Sequence, residues 1–155
     1  MDATIINPFI KAALHTLNTL GHTKLHKTDI IYLKKDQTSE GDISGVIEVN
    51  GDIAGTVSIS FPEKSILKIV SRMFSEEMTV LNEEIQDAVG EITSTTAGQA
   101  SQNLLEIGKT AKTKLKTVLM GKKHTIPHNP DHKTVAILFR GNDKIKFIIE
   151  ACFIK

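Results

Sequence analysis

The chain has 155 residues, 40% of them hydrophobic, which predicts one domain spanning 1–155 with a real core. Nineteen Lys and Arg stand against 18 Asp and Glu, so nothing in the charge balance argues for nucleic acid or for a membrane surface as partner. With no Trp, one Tyr and six Phe, aliphatic side chains must fill most of the interior.

Asp2 is placed to cap a first helix ending near Gly21, on which Ile5, Ile6, Phe9, Ile10, Ala13, Leu14 and Leu17 recur at three- and four-residue spacing. Its opening has no basic start and no sustained apolar stretch, so neither a signal peptide nor a membrane span is expected. A short extended stretch follows at 29–33. Residues 45–49 alternate, Asn50-Gly51 comes next, and 52–61 reads as a second strand. Asn-Gly between alternating residues predicts a hairpin, because both positions of a tight turn need positive φ. Pro62 suits the first turn of a second helix carrying Ile66, Leu67, Ile69, Val70 and Met73.

A long helix over 81–108 is predicted next, capped by Asn82 and ended by Gly108. The run Thr93-Ser94-Thr95-Thr96 has poor helix propensity, about 0.5 kcal/mol per residue against Ala. The apolar pattern of Ile85, Val89, Ile92, Thr96 and Ala100 continues through it and keeps it helical. Gly98 reads as a point where another backbone could approach closely. Strands are expected at 115–120, 135–139 and 146–154, the last two joined at Gly141-Asn142-Asp143, with a loop at 122–132 holding Pro127 and Pro130. Cys152 reads as a small buried hydrophobe in the last strand. As the only cysteine it cannot close an internal disulfide, which fits a reducing cytoplasm. Helices packed on one face of a largely antiparallel sheet would bury these stripes, an α+β architecture.

On the long helix Asp87, Glu91 and Ser94, spaced by four and three, share one face. Residues 73–108 contain seven acids and no Lys or Arg, and 109–123 contain six Lys and no acid. That asymmetry fits a solvated acidic helix beside a basic strand. It equally fits a surface that recruits a cationic group of a partner. Asp87 and Glu91 could also form an acid–base pair if a cleft buried them. His124, His128 and His132, spaced by four with Asp131 adjacent, raise a metal reading, although the two prolines oppose the helix that would align them. His15 is expected in or beside the apolar face of the first helix.

Several stretches together resemble the CheC/CheX family of chemotaxis phosphatases, closer to CheX. They are residues 1–13, the Asn-Gly hairpin through Phe61, Ala88-Val89-Gly90-Glu91-Ile92 followed by Ala97-Gly98, 104–108, and Thr117-Val118-Leu119-Met120-Gly121. The family motif is Asp or Ser, three residues, Glu, two residues and Asn, with a Pro about one helix length later. Asp87 and Glu91 match it, Ser94 stands at the Asn, and Lys116 stands at the Pro. CheC-type members carry two such motifs, and the single one here fits the CheX type. The resemblance implies a CheC/CheX-like fold and hydrolysis of the aspartyl phosphate on a phosphorylated CheY-like response regulator. The Glu would pair with the receiver's Lys and the Asn amide would orient the attacking water. The Mg²⁺ would belong to the receiver, with no cofactor held by this chain. The resemblance further implies a homodimer built through the sheets.

Ser94 offers one hydroxyl close to the helix where the family presents an amide on a longer arm. The expectation is that receiver docking survives more readily than hydrolysis. A non-catalytic receiver-binding or protein-interaction module is therefore the alternative.

Overall fold

Two periodicities in the chain, 3.6 and 2, become two layers in the structure, a computed structural model that describes residues 3–33, 41–122 and 124–154, with backbone alone at 31–33. The helices are α1 (Ala3–Gly21), α2 (Glu63–Phe74) and α3 (Glu83–Glu106). The strands are β1 (Leu25–Leu33), β2 (Ile43–Gly51), β3 (Gly55–Phe61), β4 (Ala111–Met120), β5 (Thr134–Gly141) and β6 (Lys146–Phe153). All five strand pairings are antiparallel, and the sheet order is β1-β5-β6-β3-β2-β4.

Odd-numbered residues of four central strands enter one core with the helices. They include Ile43, Ile47, Ile59, Phe61, Ile137, Phe139, Phe147 and Ile149. The three helices thus cover one face, as an α+β fold requires. Even-numbered residues such as Ser44, Ser58, Ser60 and Glu150 point the other way and are also buried. The histidine-bearing segment after β4 crosses part of that face, with His124 Nε2 lying 2.6 Å from Ser44 Oγ and His128 Nδ1 lying 2.5 Å from Thr56 Oγ1.

α3 forms despite its hydroxyl-rich middle because those hydroxyls are satisfied within the helix. Thr93 and Thr96 donate to the carbonyls of Val89 and Ile92, each at 2.7 Å. Asn82 Oδ1 accepts from the Ile85 N–H at 3.1 Å, capping the N-terminus. At the other end Gly108 N–H donates to Leu105 O and Lys109 N–H to Leu104 O, a Schellman ending that the φ of +79° at Gly108 permits. Cys152 is buried on β6, as expected.

Three local expectations fail. The β2–β3 hairpin exists, but Asn50-Gly51 is not its turn. Val49 pairs with Gly55, the connection runs through 52–54, and Gly51 continues β2 to pair with Ala111 on β4. Gly98 faces open space, and the close approach occurs instead at Gly45, where β2 meets Thr93 of α3. His15 is exposed. The helix cap assigned to Asp2 lies outside the described residues.

Candidate functional site

Asp87, Glu91 and Ser94 are all exposed on the outer side of α3, opposite the buried row of Ile85, Val89, Ile92, Thr96 and Ala100. They line one open groove of about 520 Å³ between α3 and the edge strand β4, together with Glu83, Gln86 and Gly90 and the β4 residues Leu115, Thr117 and Val118. Among the described residues none of the three has a hydrogen-bond or ion-pair partner. The helix that carries them is anchored on three sides: its apolar row enters the core, Asn103 Nδ2 donates to Pro8 O of α1 at 3.0 Å, and Thr113 Oγ1 of β4 donates to Ala97 O at 2.5 Å. The stripe is therefore carried on a rigid element and its polar ends are free. The acid–base reading needed burial in a cleft, and the exposure of both carboxylates removes that requirement's support.

Gly90 shapes the groove. A methyl there would stand 3.7 Å from Leu115 and 3.8 Å from Val118, in space now open between helix and strand. Lys116 has a structural role of its own. Val46 and Ile47 of β2 pair with Thr117 and Leu115, leaving Lys116 as the extra residue of a β-bulge. The bulge changes the parity of β4, so Val118 and Leu115 both reach toward Gly90. An edge-strand bulge is one of the few sheet positions that tolerates Pro. This chain forms the bulge with Lys. The motif pointed to three of these residues. It missed Glu83, Gln86 and the β4 wall, because the approach of β4 to α3 has no local signal.

The metal reading of the histidines gains no support from the structure. His124 and His128 are held by separate partners, and His132 is exposed. His124 Nδ1 donates to Gly121 O at 2.7 Å, which in the neutral ring leaves Nε2 to accept from Ser44. His128 Nε2 lies 3.3 Å from Oε1 of the buried Glu150. Among the described residues no three His, Cys, Asp or Glu side chains are grouped to hold a metal. His124 and His128 fasten the loop after β4 to the sheet.

A match to the family described as Chemotaxis phosphatase CheX covers residues 43–140. The chain is 31% identical over 125 residues, 79% of each chain, to the CheY-P phosphatase CheX of Thermotoga maritima. A solved CheC-like superfamily protein from Shewanella sp. PV-4 is 33% identical, with both chains covered in full and a TM-score of 0.89. The chemotaxis protein CheX of Vibrio vulnificus is 34% identical over 97% of this chain and 99% of that one, with a TM-score of 0.86. The fold is that of a CheC/CheX-type protein. The chain belongs to the chemotaxis phosphatase CheX family.

Proposed function

We propose that this protein docks on a phosphorylated CheY-like response regulator through the α3–β4 groove and promotes hydrolysis of its aspartyl phosphate, slowly, because Ser94 replaces the amide. The observation that carries the reading is the exposure of Asp87, Glu91 and Ser94, without internal partners, on one helix face that opens into one groove. Glu91 offers a carboxylate to the receiver's active-site Lys, and Asp87, one turn earlier, deepens the negative field that draws the Lys in. Ser94 can hold a water by its hydroxyl. Catalysis of this kind is positioning, since the receiver brings both the phosphoryl group and the Mg²⁺. No cofactor of the chain's own is required. The name of the Thermotoga maritima relative, a CheY-P phosphatase, supports the choice of partner.

A second reading is favoured by Ser94 alone. On that reading the groove binds a receiver and leaves its phosphate intact. Either way we place the protein in the cytoplasm as a single domain acting as a homodimer. No helix among the described residues is long and apolar enough to cross a membrane.

Phosphorylated receivers of the same organism, incubated with Mg²⁺ and the protein, test the proposal. Binding is expected to saturate, and Glu91→Lys, which sets a cation against the receiver's Lys, is expected to weaken it more than about tenfold. If no receiver binds, or if Glu91→Lys binds as well as the natural protein, the docking face is misassigned. If binding occurs without faster loss of phosphate, the second reading replaces the first.

A further inference from the structure

A second concave site lies where the β5–β6 turn meets the start of α2. Lys64, Arg140, Lys144 and Lys146 line a pocket of about 600 Å³, within the range of small-molecule sites, with Pro62 and the lysine stems giving it apolar wall. No acid lines it. None of the four cationic side chains has an ion-pair partner among the described residues. The nearest acid of the turn, Asp143, is already committed, its carboxylate to Arg72 Nη2 at 2.6 Å and its carbonyl to Lys68 Nζ. Asp42 is likewise engaged, accepting from the Glu63 N–H at 2.7 Å.

Two further observations single this cluster out from ordinary surface lysines. Arg140 and Lys146 are direct cross-strand partners on β5 and β6. Like charges at that spacing repel and destabilise the pairing. The chain supplies no counter-charge between them. The second observation is Ser65, 3% exposed, whose Oγ accepts from the Lys146 N–H at 2.9 Å. A hydroxyl that accepts still has a proton to donate, and that proton has no acceptor among the described residues. Ser65 is among the residues that line the pocket.

We infer that this pocket binds a nucleoside phosphate. The phosphates relieve the repulsion between Arg140 and Lys146, with Arg140 able to take two oxygens at once and Lys64 and Lys144 acting as point charges. The base lies on Pro62 and the aliphatic stems of the lysines. The site is independent of the α3 groove. β6, β3 and β2 separate β5 from β4 in the sheet, and the two share no lining residue.

Calorimetric titration of the full chain with ADP, pyrophosphate and adenosine, at low and at raised salt, tests this. ADP is expected to bind saturably and more weakly as salt rises. Pyrophosphate is expected to bind about tenfold more weakly than ADP, and adenosine more weakly still. Arg140→Ala with Lys146→Ala removes only exposed side chains and is expected to weaken ADP binding by about tenfold or more. Glu91→Lys is expected to leave it unchanged. Absence of saturable ADP binding overturns the inference, and so does equal binding by the double variant. Pyrophosphate binding as tightly as ADP overturns the nucleoside assignment.

Discussion

If the protein docks on a receiver as proposed, replacing Ser94 by Asn is expected to raise the rate of phosphate loss from the bound receiver by about a hundredfold, with receiver affinity nearly unchanged. Ser94 sits on the exposed face of α3, one turn after Glu91, with no partner to lose. Substitution there disturbs no packing. Asn carries its donor and acceptor on a carboxamide one atom farther from the backbone than the Ser hydroxyl, and presents two N–H donors where Ser presents one O–H. A water held from too short an arm stands off the line of attack by roughly 1 Å, a displacement that costs on the order of a hundredfold in a reaction driven by positioning. The change should therefore appear in the turnover of the bound complex and not in its affinity. Single-turnover loss of phosphate from a Mg²⁺-loaded receiver, with the protein in excess, separates the two. An increase confined to affinity, or no increase while the receiver still binds, would show that Ser94 is not what limits the groove. Glu91→Lys combined with Ser94→Asn should be inactive, since an amide cannot orient water on a receiver that does not dock.

The parts of this molecule legible in its sequence are those governed by short-range physics. The apolar row of α3, the Asn82 cap and the Gly108 ending each depend on residues within one or two turns of each other. The acidic stripe was visible for the same reason, since a spacing of four and three places side chains on one face wherever the helix lies. The failures concern which distant element meets a given residue. Gly51 does hold a φ of +155°, as its identity suggested. What excludes a side chain there is the approach of the chain at the start of β4, with Thr110 O at 2.4 Å and Ala111 Cα at 2.6 Å, and no tight turn is involved. Gly98 and Gly45 look alike as isolated glycines, yet only Gly45 is approached by another element. The histidines at 124, 128 and 132 suggested one another as partners by spacing. The actual partners of the first two, Ser44 for His124 and Thr56 and Glu150 for His128, come from three different strands. The groove follows the same rule: its helical wall was readable, and its β4 wall depended on a bulge at Lys116 that only the pairing with β2 reveals.

The close approach at Gly45 ties the fold to the groove, and Gly45→Ala is expected to destabilise the protein by about 3 kcal/mol, the upper part of the range for overpacking a core. The added methyl would lie 1.8 Å from Thr93 Oγ1, 2.8 Å from its Cβ and 2.9 Å from its Cγ2. No rotation of Thr93 clears it, because the Cβ itself is in the way. Thr93 is also fully buried, β-branched and bonded to Val89 O. α3 must lift from β2, and Ser94 and Glu91 travel with it. Urea unfolding at unchanged slope measures the stability loss, and the phosphate-clearance rate of a Ser94→Asn background reports how far the site has moved. Gly90→Ala is the control, since its methyl meets Leu115 and Val118 at ordinary contact distance and gains helix propensity. It should leave stability intact or raised while narrowing the groove. Moving the small residue across the contact, with Gly45→Ala and Thr93→Gly together, should recover most of the lost stability, less about 1 kcal/mol for glycine within the helix. Native stability in Gly45→Ala alone would mean that the sheet and α3 are not packed as tightly as this contact requires. The position of Ser94 would then have to be set by something other than β2.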